Sequence, residues 1–414
     1  MTAAARTRVP AHQSGHPALS RLVSVPAATF AEVHWGVEPL LSRAADLPAP
    51  FSDLLDHAAV DELISRRALR APFLRVARDG TTLADRLFTE GGGTGAAIGD
   101  QVSDDKLLRL FAAGATLVLQ GLHRSWAPLL TFSQQLAAEL GHPVQANAYV
   151  TPPQNTGFSD HYDVHDVFVV QIEGEKRWRI REPVRRSPLR DEPWSDRRRD
   201  VEQAATAPAL LEVTLTPGDC LYLPRGYLHA ATALGGVSTH VTLGVHPWTG
   251  RHLADDLAAG AVRRVSEDEA VRRSLPAHLD LDDAAGLTTR IELVRAALRA
   301  AVDEVSAEEL VRLLAARALK SQRAAPVGVL SQARAADALA DEQQVFLRPH
   351  LQPQLLLPSD DGPAWLESRA GALEVDLVDV PAVERLLARG TARVAELGVS
   401  LARRLMLGGI VVPR

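Results

Sequence analysis

The stretch that decides the fold is SDHYDVHDVFVVQIEGEKRWRI, residues 159–180. It opens with His161, Asp163 and His165 at alternate positions and runs directly into a β-branched segment. Alternation at period two sends all three polar side chains to one face of an extended chain. Ionisable groups facing a core are costly unless something meets them, so this face calls for a ligand. Further along, Lys176, Trp178 and Ile180 share one face, while Arg177, Arg179 and Arg181 share the other. Trp178 and Ile180 mark the buried side, so Lys176 points inward, where an ammonium needs an anion such as a dicarboxylate. The bland alternative is a lysine that snorkels past Trp178 to solvent. Lysine is scarce enough to weigh against that alternative: Lys106, Lys176 and Lys320 are the only three in the chain.

Working outward, a second motif joins the first. In GDCLYLPRGYLHAA, residues 218–231, the order Gly218, Pro224, Gly226, His229 places a turn before each of two strands and delivers His229 to the inner face of the second. His161, Asp163 and His229 then form a two-histidine, one-carboxylate set on one face of an octahedral ion, leaving three positions open. These ligands suit Fe(II), and Mn, Co, Ni and Zn also bind such sets. Cys220 lies beside this turn with no base placed to activate it, and reads as a packed thiol.

From about 144 to 248 the chain is a series of short β segments broken by Pro, Gly and Asn, the texture of a β-sandwich or barrel. Helical patterns flank it on both sides. Residues 326–414 read strand, strand, helix, helix, short strand, which suggests a small winged-helix-like module. That segment holds nine arginines, no lysine and eleven carboxylates, the wrong sign for a phosphate-binding surface. Direct nucleic-acid binding is therefore not expected, and the overall charge of −6 agrees. The Arg-rich stretch after Ile180 is interleaved with acids and reads as a solvated loop. One cysteine excludes an internal disulfide and fits a cytoplasmic setting. No run of eighteen apolar residues suggests a membrane span. The glycines of TEGGGTGAAIGD, 89–100, lack the context of a phosphate-binding loop and read as a surface loop.

The segments NAYVTPPQNTGFSDHYDVHDVFVVQIEGEKRWRI and PGDCLYLPRGYLHAA resemble the JmjC-type Fe(II) and 2-oxoglutarate oxygenases, and among them the ribosomal oxygenase branch. EVHWGVEPLL, FSDLLD and RRSLP extend the likeness to either side. The resemblance implies an α+β chain built on a double-stranded β-helix, the cupin or JmjC barrel, with flanking helices. It also implies a helical dimerisation region and a winged-helix-like C-terminal domain. The expected limits are a flexible leader at 1–25, the catalytic domain at 26–250, the dimerisation region at 251–325 and the terminal domain at 326–414. Metal ligands are implied at His161, Asp163 and His229, with Lys176 on the far carboxylate of 2-oxoglutarate. Asn147 and Tyr149 fall on polar pocket positions. Thr242, or the neighbouring Gly244, stands where relatives carry a small hydroxyl residue. With the ligand set complete, His165 is read as supporting the ligands or facing the substrate, and His240 as a barrel or pocket residue.

The expected activity is hydroxylation of a protein side chain, Arg or His of a ribosomal protein, with Fe(II), 2-oxoglutarate and O2, by a cytoplasmic homodimer. Three other readings share parts of this evidence: an N-methyl demethylase, an oxygenase of a small molecule or biosynthetic peptide, and a non-catalytic cupin-like regulator. Formaldehyde release separates the first, and 2-oxoglutarate turnover the last.

Overall fold

The computed structural model describes residues 6–8, 16–78, 80–95, 97–155, 158–277, 284–358 and 362–413. Its central feature is a nine-stranded antiparallel sheet. Eight of its strands carry the argument: β1 (Leu40–Ser42), β2 (Leu74–Arg78), β3 (Thr116–Leu119), β4 (Val144–Thr151), β5 (Asp166–Arg181), β6 (Leu211–Leu215), β7 (Cys220–Leu223) and β8 (Leu228–Val245). They run in the order β1-β7-β5-β8-β4-β3-β2, with β6 paired to the C-terminal half of β5. This is the strand arrangement of the expected barrel.

Alternation sorts each strand into two faces. Val144, Ala146, Ala148 and Val150 of β4, Phe168 and Val170 of β5, and Val241 and Leu243 of β8 pack into one large core with Phe30, Phe51, Leu63, Phe132 and Leu136 from outside the sheet. The opposite faces of β4, β5 and β8 turn into the barrel. On β5 that inward face changes parity: Val167 and Val169 line the interior at odd positions, and Lys176 and Trp178 line it at even ones. The switch lies where the pairing with β8 slips, between Leu234 opposite Glu175 and Thr239 opposite Glu173. Gly174 sits inside that slip with φ +65°, and a Cβ there would lie 2.2 Å from the Val237 carbonyl oxygen. Only glycine fits this position without strain.

The flexible leader expected at 1–25 does not extend over residues 17–25. Leu19, Leu22 and Val23 are buried in the barrel's main core, and the Glu139 carboxylate accepts the amides of Ala18 and Leu19 at 3.0 and 2.8 Å. Apolar spacing in a short helix, Pro17–Ser20, was hidden by its polar surroundings. Residues 1–5 and 9–15 lie outside the described residues, while Arg6–Arg8 pairs with Gln354–Leu356.

By packing, Met1–Pro247 with Arg323–Arg414 forms one unit and Trp248–Gln322 another. The second unit is helical, with Gly250–Val265, Ala284–Glu304 and Ala307–Ser321 as its long elements and a small core around Ala261, Val265 and Ala301. Helix Ala307–Ser321 has no fully buried residue.

The C-terminal segment departs in detail from its sequence reading. Residues 344–356 form two strands, Gln344–Leu347 and Gln354–Leu356, and Ala364–Ser368 is a further strand. Helix Val380–Arg389 is capped by Gly390 in the left-handed region, and Thr391–Arg393 joins a three-stranded sheet, a strand that interrupts the expected helical half of the segment. No described helix is long and apolar enough to cross a membrane.

Candidate metal centre and its pocket

His161 and His229 come together through backbone pairing, far apart though they are in sequence. Each donates its amide to the other's carbonyl, at 3.2 and 2.9 Å, in an isolated antiparallel bridge. The Gly226 amide donates to the Asp163 carbonyl at 3.0 Å, fixing the loop that holds the carboxylate. As a result His161, Asp163 and His229 present donor atoms within 4.8 Å of one another. The His229 Nε2 lies 3.7 Å from Asp163 Oδ2, and the two imidazole rings are 4.4 Å apart.

The tautomers follow from the neighbours. His161 Nδ1 lies 2.7 Å from the Ser159 carbonyl and His229 Nδ1 lies 3.1 Å from that of Tyr227. A carbonyl only accepts, so each Nδ1 carries the proton and each Nε2 keeps its lone pair for a cation. Burial, and then the nearby His161, pulls His229 down to about 4, which keeps it neutral. Burial alone pushes the Asp163 carboxyl up, but His165, His229, His161 and His246 together hold it below the ordinary carboxylate value. Two neutral nitrogens and one carboxylate are a donor set that fits a divalent ion such as Fe(II).

Lys176 lies in the same cavity and is 3 % exposed. Its Nζ donates to Thr151 Oγ1 at 3.0 Å and approaches His240 Nδ1 at 3.5 Å. No carboxylate pairs with it among the described residues. Burial pulls its pKa down to about 7. Burial, with Lys176 and His229 beside it, holds His240 well below its ordinary value. A cation surrounded by neutral groups is a ready site for an anion.

Tyr149 and Thr242 also line this cavity. The Tyr149 ring stacks on His240 at 4.8 Å, and burial, then Asp163, pushes its hydroxyl up to about 12. Asn147 is a different case. Its Oδ1 accepts the Gly121 amide at 3.0 Å and its side chain is not among those lining the cavity, so its carbonyl oxygen serves the chain. Cys220 is buried, with its thiol pushed up by burial, as a packed thiol should be. Sequence reasoning missed Thr151, Thr116, Phe158 and the cavity role of Trp178. Thr151 and Thr116 bond each other at 3.2 Å, and their hydroxyls give no signal in a strand pattern where threonine is common.

Comparison with known proteins fits this geometry. Residues 127–253 match the model of the JmjC domain family. Over that stretch the chain is similar to JmjC domains, and its wider likeness is to ribosomal oxygenases. It is 31% identical over 264 residues to Ribosomal oxygenase 1 of Gallus gallus, covering 62% of this chain and 42% of that protein. It is 37% identical over 138 residues to the bifunctional lysine-specific demethylase and histidyl-hydroxylase NO66 of Drosophila erecta, covering 33% of this chain and 20% of the relative. The matches thus span less than half the length of these curated relatives. The fold is shared with Escherichia coli ribosomal oxygenase YcfD, at a TM-score of 0.56 and 16% identity over 95% of this chain and 99% of the other. That protein has also been solved in complex with cobalt and 2-oxoglutarate.

Proposed function

We propose that the chain is an Fe(II)- and 2-oxoglutarate-dependent oxygenase that hydroxylates a side chain of a ribosomal protein. His161, Asp163 and His229 hold the metal, and Lys176 pairs with the far carboxylate of the keto acid. The observation that carries the reading is Lys176: a buried ammonium without a carboxylate partner among the described residues, in one cavity with three convergent metal donors. Either feature alone has structural explanations, but together they mark a site for a metal and an organic acid.

The bound metal supplies oxygen activation coupled to decarboxylation of the keto acid. The remaining work falls to the chain. The Ser159 and Tyr227 carbonyls fix the two imidazoles, so that metal binding requires no change of tautomer. Thr151 holds Lys176 in place before the anion arrives. Apolar walls from Val167, Val169, Trp178 and Ala231 exclude water from the reacting atoms.

The target residue is Arg or His, as the resemblance to ribosomal oxygenases implies, with the histidyl-hydroxylase name of one relative supporting His, and the setting is the cytoplasm. A homodimer through the helical unit is supported by exposed Ile291, Val294, Val302 and Val311. The acid-rich C-terminal segment supports a role in packing or partner binding without direct contact to nucleic acid. Mass spectrometry of ribosomal proteins from cells with and without the gene tests the substrate: one added oxygen appears only with it. A lysine demethylase would instead release formaldehyde. Unchanged ribosomal proteins beside intact keto-acid turnover would refute the ribosomal substrate and leave the oxygenase.

A further inference from the structure

The inward faces of β4 and β8 continue past the cavity. On β4 the face reads Thr151, Tyr149, Asn147, Gln145, and on β8 it reads Ser238, His240, Thr242, Gly244, with residue pairs directly opposite in that order. The Lys176 end lies at Thr151, and Tyr149 and Thr242 line the middle. The opposite end, at Gln145 and Gly244, therefore lies away from the anion site. A substrate side chain must reach the metal from that side if the keto acid occupies the Lys176 side.

What fills this end is His165. Its ring lies so close to Gly244 that a Cβ there would stand 2.6 Å from His165 Cδ2 and 2.7 Å from Nε2. The ring also stacks on His246, with centroids 4.9 Å apart and planes 20° apart, and its Nε2 is 3.4 Å from Gln145 Nε2. His165, His246 and Gln145 are half-buried, so this group is open to a partner. No metal role is needed for the cluster, because the three metal donors are complete without it.

We infer that His165, seated on Gly244 and stacked on His246, is a specificity-determining residue that reads the polar, planar side chain of the protein target. This rests on the oxygenase reading and adds to it the chain's own recognition element. Gly244 is part of the device: by carrying no side chain, it gives its place to an imidazole that comes from another segment. Gln145 and the two rings supply hydrogen-bonding edges and flat faces suited to a guanidinium, imidazole or amide group.

The test compares the wild-type chain with His165→Ala and Gly244→Ala on total ribosomal proteins from cells lacking the gene. Rates of oxygen incorporation are followed by mass spectrometry, and cobalt(II) and 2-oxoglutarate affinities are measured without protein substrate. Both variants should raise the KM for the marked protein by about tenfold or more, the loss of one or two hydrogen bonds. In Gly244→Ala the added methyl displaces the ring that His165→Ala removes, so the two should act alike. Affinities for cobalt and 2-oxoglutarate should stay within about twofold, a split that general loosening of the fold would not give. An unchanged KM in either variant overturns the inference. So does a parallel fall in cobalt affinity, which would make His165 a support for Asp163. If the wild-type chain marks nothing in the mixture, the ribosomal reading fails first and takes this inference with it.

Discussion

Replacing Lys176 with methionine should make the protein more stable and at the same time unable to hold its acid. The ammonium is buried without a counter-ion among the described residues, and burial takes its pKa from 10.5 to about 7. At about 1.4 kcal/mol per tenfold change, the charged form costs at most about 5 kcal/mol, less whatever the Thr151 hydrogen bond returns. Methionine has a similar length and no charge, so a net gain on the order of 2 kcal/mol is expected for the ligand-free chain. The sign follows from linkage. Between pH 7 and 10.5 the unfolded chain binds a proton that the folded chain does not, so wild-type stability rises with pH across this window. The penalty is full below about pH 7, and the advantage of the variant should shrink to nothing near pH 10.5. Scanning calorimetry at pH 6.5 and at pH 9.5, with and without 2-oxoglutarate and cobalt, reads both effects. At a ligand concentration of about 100 Kd the wild type should gain about 2.7 kcal/mol, and the variant nothing. A variant less stable than wild type at pH 6.5, or one still stabilised by the keto acid, would refute the argument.

Three further outcomes follow from particular contacts. Asp219 is buried and accepts from Arg43 Nη1 at 2.7 Å and from the amides of Ala44 and Thr216, both at 2.9 Å, so Asp219→Ala should cost about 3 kcal/mol in denaturant titration. Burial pushes the Asp219 carboxyl up, but the two amides, Arg43 and the Thr216 hydroxyl together hold it below its ordinary value. Its contribution should be full above about pH 4 and vanish as the pH falls below that, a loss absent from the variant. Gly174→Ala should destabilise by about 2 kcal/mol or more and also weaken 2-oxoglutarate binding, because it disturbs the slip that turns Lys176 inward. Arg181→Met removes the buried partner of Asp160, beside His161, and should lower cobalt affinity about tenfold in a spectroscopic titration without moving the 2-oxoglutarate contacts.

The candidate metal donors were legible because each motif carries its geometry in the spacing: alternation for His161 and Asp163, a turn for His229. Lys176 was legible through Trp178 and Ile180, which name the buried face. The parity change at Gly174 was not, since a glycine in a strand pattern signals either a bulge or a turn, and only the partner strand's carbonyl decides. Asn147 shares a face with Tyr149, yet its amide is drawn to the Gly121 backbone, a long-range contact that no local pattern records. Residues 16–25 looked like a tail because their core contacts lie on the helix Ala127–Leu140, more than a hundred residues away. In the C-terminal segment, Gly390 ends a helix whose apolar pattern runs on through the following strand.

The most direct test is a titration of the purified, metal-free chain with a divalent ion, followed by 2-oxoglutarate, monitored by cobalt absorption and succinate release. One ion per chain should bind, substitution of His161, Asp163 or His229 should abolish that binding, and iron should then support conversion of the keto acid. Tight, unaltered metal binding in all three variants, or a loaded wild-type chain that leaves the keto acid intact with every ribosomal protein supplied, would contradict the account.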